Sequence, residues 1–249
     1  MTFSTAKWSI EPSGDRSLVV VFHHDDPRVA NHCARLLAQV LKSDIPAGVS
    51  GIVPAMISVA LHYAPEAIHD EAAHSGLVKE RSPYACLVEQ VETRIRTLDP
   101  HDVAPGREVT VPVCYGGENG PDLVEVARFC GVTPEEVIAM HTAKPVDVLA
   151  VGFAPGHPYV GYFDQRLSIG RRSSPRASVP AGSVAIANRQ CVIYPTQLPG
   201  GWHLIGRTPL TLFDAHRTSP SLLLAGDSIR FVAIGLEEFE ALATQEGGL

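Results

Sequence analysis

Apolar residues near the start of the chain form one unbroken run, followed by a stripe with helical spacing. Residues 17–22, Ser-Leu-Val-Val-Val-Phe, predict a buried strand. From Asp26 onward the apolar positions recur every three or four residues, which predicts a helix with one buried face. Asp26 is suited to cap this helix and Pro27 to occupy its first turn. The stripe comprises Val29, Cys33, Leu36, Leu37, Val40 and Leu41.

Two further strands and a second helix are predicted before residue 100. Residues 48–53 and 56–63 predict strands on either side of Pro54, whereas residues 64–81 are mixed in character and predict mostly loop. A second helix begins at Ser82, and its apolar stripe is Tyr84, Leu87, Val88, Val91, Ile95 and Leu98. The order strand, helix, two strands and helix predicts a small α+β domain of the ferredoxin-like kind.

The chain then changes character across a polar linker. Residues 98–108 contain Pro, Gly and charged side chains, a composition typical of domain boundaries. We therefore predict an N-terminal α+β domain over residues 1–100 and a second domain over residues 101–249.

The second domain begins with mixed structure and ends in β-structure. Residues 108–115 predict a strand, and residues 120–131 predict a short helix ending at a glycine. Thr133 and Glu136, with Pro134 between them, fit a capping box that starts another helix. Short β-rich segments separated by Gly, Pro and Asn follow, which predicts a sandwich or a barrel. These segments are 178–187, 191–195, 202–206, 209–214 and 227–234.

Composition narrows the possible function classes. The formal net charge is −7 at pH 7 and no block of Lys or Arg occurs, so nucleic acid and anionic membranes are not expected partners. The first residues lack the basic start and apolar run of a signal peptide, and we expect a cytoplasmic protein. The five cysteines form no Cys-x-x-Cys pair, and the histidines show no metal-binding spacing, so we expect no disulfide framework and no metal.

Standard catalytic signatures do not occur in the sequence. There is no phosphate-binding loop of the form G-x-x-x-x-G-K-[ST], no G-x-S-x-G and no H-E-x-x-H. We therefore expect this chain to bind no cofactor itself.

One loop is unusually dense in glycine, proline and aromatic residues. Residues 152–164, Gly-Phe-Ala-Pro-Gly-His-Pro-Tyr-Val-Gly-Tyr-Phe-Asp, combine residues that bend the backbone with residues that present rings. Two interpretations remain open: the rings line a groove, or they fill one end of a barrel.

Two later segments carry polar candidates. Arg176 and Arg207 each have a guanidinium suited to bind a carboxylate or phosphate. Gln190 and Tyr194 flank a tight connection and can donate hydrogen bonds. Trp202, after two glycines, is more typical of a buried structural ring than of a ligand platform.

Together, five segments resemble the family of KipI and allophanate hydrolase subunit 1. This family includes the B subunit of bacterial 5-oxoprolinase and part of the carboxyltransferase region of urea carboxylase. Its usual glycine-rich motif has Phe and Gly where this chain has His157 and Tyr162, which makes the groove more polar. The matching segments are 111–141, 152–164, 175–187, 193–214 and 225–234.

The resemblance implies a cyclophilin-like β-barrel after the N-terminal α+β domain. It also implies one component of an ATP-dependent 5-oxoprolinase that converts 5-oxoproline to glutamate, a component that is inactive alone. The implied partners are a cyclophilin-like C subunit, of the allophanate hydrolase subunit 2 type, and the A subunit, which uses the ATP. The alternatives are a KipI-type inhibitor of a sensor histidine kinase and a carboxyltransferase component of a biotin-dependent urea carboxylase system.

We combine residue chemistry and motif position into one hypothesis for the site. Gly and Pro stiffen a rim, and the rings line a groove at one mouth of the barrel, completed by a partner chain and holding a small amide or lactam with a carboxylate. His157 is expected to transfer protons, because imidazole titrates near neutral pH, and Tyr159 to orient the amide. The expected substrate-binding residues are Gly152, Phe153, Pro155, Gly156, Arg176, Gln190, Tyr194 and Arg207.

Overall fold

The computed structural model describes residues 6–68, 81–99 and 106–245. The chain divides into two compact units, Met1–Ala104 and Pro105–Leu249. The predicted boundary at residue 100 lies outside the described residues, as does most of the predicted loop 64–81.

The first unit is built on a four-stranded antiparallel sheet. Its strands are β1 (Lys7–Pro12), β2 (Ser17–His23), β3 (Val49–Pro54) and β4 (Ser58–Tyr63). They lie in the order β1-β2-β4-β3. This is the ferredoxin-like arrangement with one change. The edge position beside β2, which is normally occupied by a strand that follows the second helix, is occupied here by β1. Sequence patterning missed β1, because Trp8 and Ile10 are only half-buried and give a weak apolar signal for an edge strand.

Helices pack on this sheet and bury its core. Helix α1 (Pro27–Ser43) begins where predicted, with the Asp26 side chain accepting a hydrogen bond from the Arg28 amide. Helix α2 (Pro83–Arg96) is capped by Ser82. The fully buried core includes Leu18, Val20, Leu37, Leu41, Val59, Leu61, Leu87 and Val91.

The second unit is built on short strands. They are β5 (Glu108–Tyr115), β6 (Val146–Val151), β7 (Pro158–Gly161), β8 (Arg176–Val179), β9 (Ser183–Ala187), β10 (Gln190–Ile193), β11 (Leu198–Gly200), β12 (His203–Arg207) and β13 (Ser228–Ile234). Seven of them form a closed barrel in the order β10-β7-β6-β13-β5-β12-β9, which confirms the α+β class and the predicted cyclophilin-like barrel. Strands β5 and β13 are parallel neighbours, and a separate two-stranded sheet pairs β11 with β8.

Three helices accompany the barrel: α3 (Leu123–Cys130), α4 (Pro134–Thr142) and α5 (Leu236–Gln245). Helix α3 ends at Gly131 in the left-handed conformation, as predicted. The capping box of α4 is confirmed, because both the Thr133 and the Glu136 side chains make their reciprocal hydrogen bonds.

Two predicted β-segments of the second unit are corrected. Residues 209–214 form no strand and contribute only an isolated bridge, between Phe213 and Ser221. Residues 178–187 are not one segment, since the turn after Val179 places β8 and β9 in different sheets. Pro209 and Pro180 stand where these segments leave the ladder, and neither has an amide proton to donate to it. Among the described residues, no helix is both long and apolar enough to cross a bilayer.

Candidate functional site

Side chains on neighbouring barrel strands alternate between the interior and the outer wall. Val160, Cys191, Val184 and Ile205 belong to the core inside the barrel. The neighbours of these residues along each strand therefore point outward: Tyr159, Val192, Ala185 and Leu204. They form one row across the wall, because Val192 pairs with both Tyr159 and Ala185, and Ala185 pairs with Leu204. The ring-lined surface thus lies on the outer wall of the barrel, and not at the barrel mouth that we predicted from the sequence.

The two-stranded sheet β8–β11, which we call the flap, covers this outer row. Val179 of β8 and Leu198 of β11 pack with Ala185, Val192 and Leu204 in a small apolar cluster separate from the barrel interior. Gly200 of β11 makes the closest approach. A Cβ at that position would lie 2.0 Å from the Tyr194 hydroxyl oxygen, so only glycine lets the flap pass over the phenol.

Five rings form a continuous chain of contacts beside the flap, which we call the aromatic cluster. The His157 ring centroid lies 5.4 Å from that of Phe153, 5.2 Å from that of Tyr159 and 5.3 Å from that of Tyr194. Tyr159 in turn meets Trp202 edge-on at 6.3 Å. Trp202, which the sequence favoured as a structural ring, is half-buried and completes the cluster.

The rings of the motif 152–164 lie on both sides of the barrel wall. Phe153, 67% exposed, and half-buried Tyr159 face outward in the aromatic cluster. Phe163 turns the other way into the barrel core, where it stacks on His141 with ring centroids 4.6 Å apart. One end of the motif therefore lines the outer surface, and the other fills the barrel.

The loop before β7 holds Phe153 in an unusual backbone conformation. The Gly152 amide donates to the His157 carbonyl at 3.0 Å, which closes the loop. Phe153 itself has φ of 76°, a left-handed conformation that costs a non-glycine residue free energy. Gly156 also has positive φ, and a Cβ there would lie 2.8 Å from the Cβ of Phe213. Pro155 is exposed at the rim of this loop.

His157 is buried, and its protonation differs from the expectation. The residue is 2% exposed, and its Nδ1 has no hydrogen-bond partner among the described residues. Burial lowers the pKa of His157 to about 4, because the charged imidazolium loses its hydration. The ring is therefore neutral at pH 7, and the expectation that it titrates near neutral pH is wrong. A neutral imidazole can still accept a proton or a hydrogen bond.

The two phenols of the cluster remain protonated at neutral pH. Burial raises the pKa of both Tyr159 and Tyr194, and the positive charge of Arg171 partly offsets that rise. Each hydroxyl is therefore able to donate a hydrogen bond to a carbonyl oxygen. This protonation state is compatible with the amide-orienting role expected for both residues.

Arg176 has an internal carboxylate partner. Its Nη1 and Nη2 lie 2.8 and 2.7 Å from the two carboxylate oxygens of Asp122, which also accepts from Arg172 at 3.2 Å and from the Leu204 amide at 2.8 Å. Burial alone would raise the pKa of Asp122, but these hydrogen bonds and charges lower it. The Asp122 carboxylate thus ties β8 of the flap to the barrel wall at β12.

Arg207 lies apart from the aromatic contacts, whereas Gln190 lies on the same outer wall. Arg207 Nε donates to the Ala181 carbonyl at 2.7 Å, and the guanidinium sits 5.9 Å from the centre of the Phe239 ring. Burial lowers the pKa of Arg207. Gln190 pairs with Gly161 at the start of β10 and, two residues before Val192, faces the same outer side as Tyr159, roughly 7 Å along the strand from Val192. The structure therefore brings the rings of Phe153, His157, Tyr159 and Tyr194 into contact, although Tyr194 is only 2% exposed. Gln190 lies on the same outer wall, whereas Arg207 does not join these contacts.

Sequence reasoning missed Arg171 at this site. The signal was present as three arginines within residues 171–176, just before the flap, but nothing in that segment distinguishes the paired arginines from the unpaired one.

The first unit has a concavity with a volume of about 560 Å³. It is lined by Lys7, Phe22, His23, His24, Asp25, Pro27, Ala30 and Ile57. In the described ranges of both units, no three His, Cys, Asp or Glu side chains are grouped so as to hold a metal ion.

Comparison with known proteins gives a family match over most of the chain. Residues 8–223 match the family model described as carboxyltransferase domain, subdomain C and D. The B subunit of 5-oxoprolinase from Bacillus subtilis (strain 168) is 38% identical over 237 residues, covering 95% of this chain and 97% of that protein. A protein of the same name from Haemophilus influenzae is 45% identical over 151 residues, covering 61% of this chain and 70% of that protein.

The fold also occurs within a much longer enzyme. The crystal structure of the Kluyveromyces lactis urea carboxylase matches 99% of this chain with a TM-score of 0.73 and 17% sequence identity. This chain spans 23% of the length of that protein, and at this identity the likeness concerns the fold alone.

Proposed function

The chain belongs to the family of carboxyltransferase domains, subdomain C and D, and from this we propose that it is the B subunit of a 5-oxoprolinase complex. The observation that carries the proposal is the Bacillus subtilis relative of that name, which aligns over 97% of its own length. The Haemophilus influenzae protein of the same name supports it over 61% of this chain.

The proposed reaction is the hydrolysis of 5-oxoproline to glutamate. Water adds its oxygen to the ring carbonyl carbon, the ring C–N bond breaks, and the nitrogen takes up a proton to become the amine of glutamate. A lactam carbonyl is a poor electrophile, and we propose that ATP, used by the A subunit, drives its activation. The absence of a phosphate-binding loop motif from this sequence is compatible with that division of labour.

The aromatic cluster supplies groups suited to a small lactam. The faces of Tyr159 and Trp202 are half-buried and offer apolar contact to a five-membered ring. The protonated phenol of Tyr159 donates a hydrogen bond to a carbonyl oxygen, and the neutral His157 accepts one from a lactam N–H or from water. The surface is open on the side away from the flap, since Phe153 is exposed, and we propose that the C subunit closes it.

Reconstitution from separate subunits tests the proposal. The chain is co-expressed with candidate A and C subunits, and glutamate formation from 5-oxoproline is measured with and without ATP. Activity is expected only when all three subunits and ATP are present. Omission of each protein in turn is the control. If the complete complex forms but releases no glutamate, the proposed function is wrong.

The same preparation discriminates the alternatives. An inhibitor of a sensor histidine kinase would reduce kinase autophosphorylation without the other two subunits. A carboxyltransferase component would need carboxybiotin and would produce a carboxylated substrate rather than glutamate. The likeness to urea carboxylase concerns the fold and gives that alternative no further support.

A further inference from the structure

Three arginines precede or begin the flap, and two of them have carboxylate partners. Arg176 and Arg172 both bind Asp122, and Arg172 also lies 3.5 Å from Glu125. The exposed guanidinium of Arg171 makes no ion pair or hydrogen bond with the described parts of the chain. Its charge is therefore available to an anion from outside.

The backbone on both sides of Arg171 is fixed to the segment that carries Trp202. His203 Nε2 donates to the Gly170 carbonyl at 3.1 Å, and the Arg172 amide donates to the Gly201 carbonyl at 2.8 Å. Nη2 of Arg171 lies 3.7 Å from where a Cβ on Gly201 would be. The guanidinium is thus positioned beside the residue that precedes Trp202, at the edge of the aromatic cluster.

The electrostatic effect of this guanidinium extends to both phenols of the cluster. Burial raises the pKa of Tyr159 and of Tyr194, and the charge of Arg171 opposes that rise at each of them. Arg176 also affects Tyr194, but its charge is largely balanced by Asp122. Among the described residues, Arg171 is therefore the one cation whose charge acts on both phenols.

We propose that Arg171 is the residue that binds the carboxylate of the ligand at the aromatic cluster, in place of the Arg176 and Arg207 expected from the sequence. The ligand, 5-oxoproline, carries a carboxylate on its lactam ring, and its identity rests on the proposed function. The guanidinium binds the carboxylate through two parallel hydrogen bonds, while the ring lies against Tyr159 and Trp202. His157, which is buried and whose Nδ1 has no partner within the described residues, forms the inner wall of the same site.

Steady-state kinetics of the reconstituted complex test this assignment. R171Q removes the charge from an exposed side chain and should fold normally. It is expected to raise KM for 5-oxoproline roughly tenfold to a hundredfold with a small effect on kcat, because a charge-assisted pair is lost. R171K, which keeps the charge but loses the planar fork, should fall between wild type and R171Q. R128Q is the matched control, since Arg128 is also exposed and lies on α3 of the same unit.

Ligand binding to the isolated full chain gives an independent measurement. W8F removes the indole of the first unit, so that fluorescence reports Trp202 alone among the two tryptophans. In this background, 5-oxoproline should alter the emission at lower concentration than pyrrolidin-2-one, which has the same ring without the carboxylate. R171Q should abolish the difference between the two compounds, and R128Q should preserve it.

The two measurements separate the inference from the proposed function. If the wild-type complex is inactive but the isolated chain still prefers the carboxylate in an Arg171-dependent way, the proposed function fails and the inference holds. If the complex is active and R171Q leaves both KM and the preference unchanged, the inference is overturned and the function holds. An inactive complex together with no preference for the carboxylate overturns both.

Discussion

Asp122 should hold the flap in place, and its replacement by Asn provides a quantitative test. The Asp122 side chain is 6% exposed and accepts hydrogen bonds from Arg172, Arg176 and the Leu204 amide. Asp122 stands at the N-cap of α3, but its side chain makes no capping hydrogen bond, because the arginines and Leu204 occupy it. Asparagine keeps one acceptor oxygen but turns an amide N–H₂ toward a guanidinium that can only donate.

The magnitude follows from the hydrogen bonds that are lost. At least two charge-assisted bonds disappear, each contributing about 1.5 kcal/mol when the donor is partly solvated, for a total of about 3 kcal/mol. Both arginines are about one quarter exposed, at 27% and 26%, so water partly compensates and the lower end of the range for buried pairs applies. For a unit of this size, D122N should melt roughly 6–12 °C below the wild type.

The chain offers a matched control at Asp227. This carboxylate is also 6% exposed, accepts from Arg107 and from the Leu224 amide, and joins the loop before β13 to the start of β5. D227N should also lower the melting temperature, but by less than D122N, because Arg107 is 56% exposed and water compensates for more of the lost hydrogen bonds. It should leave the aromatic cluster unchanged, because none of its partners belongs to the flap.

The two variants should differ in the titration of Tyr194 and in catalysis. The charge of Arg176 lowers the pKa of Tyr194, and loss of Asp122 leaves that charge unbalanced, so the pKa should fall further in D122N. Phenolate absorbance measures this, with Y194F identifying the contribution of Tyr194. The reconstituted D122N complex should lose activity, whereas D227N should retain it at temperatures where both are folded. Equal melting of D122N and wild type, or equal loss of activity in both variants, would refute the anchoring role.

Three further changes test other features of the barrel. Burial lowers the pKa of His141 to about 3 from an ordinary value near 6.5, so its contribution to stability is complete above pH 6.5 and is lost as the pH falls toward 3. In urea unfolding, the free energy of unfolding of the wild type should therefore fall by roughly 2 kcal/mol more than that of H141F between pH 7 and pH 5. Equal decreases in the two proteins would contradict this. G200A should push β11 away from Tyr194 and reduce the activity of the complex more than tenfold. G201A is the control and should resemble wild type, because the nearest neighbour of its Cβ would be 3.5 Å away. F153G should stay within about 1 kcal/mol of wild-type stability, because glycine tolerates the φ of 76°, and yet raise KM; a large loss of stability would show that the Phe153 ring is structural.

The features that sequence predicted best are set by contacts a few residues apart. Asp26 caps α1, and Thr133 with Glu136 forms the box that starts α4, because each side chain bonds to backbone within three residues. Gly131 ends α3 with φ of 68° for an equally local reason. Such signals are visible in a single sequence and need no knowledge of the fold.

The position of the site depended on strand phase, which the sequence did not reveal. Alternation predicts that Tyr159 and Val160 face opposite sides of β7, but it does not say which side is the barrel interior. Both sides of this wall are apolar, since the flap covers the outer one. The density of Gly, Pro and rings in residues 152–164 instead suggested a rim at the barrel mouth.

The choice among the arginines depended on a partner distant in sequence. Asp122 lies 54 residues before Arg176, and nothing near either residue announces their pairing. Arg171 and Arg176 are therefore equivalent as sequence, but the fold gives one of them a carboxylate and leaves the other exposed.

The parallel neighbours β5 and β13 have a consequence for biosynthesis. Glu108 pairs with Ser228, so the ribosome must add 120 residues before β5 meets this neighbour. At ordinary elongation rates the wait lasts roughly 6–24 s, during which one edge of β5 stays bare on the nascent polypeptide. Prematurely terminated products that stop short of Ser228 keep this bare edge permanently, which makes them candidates for aggregation and for clearance by proteases.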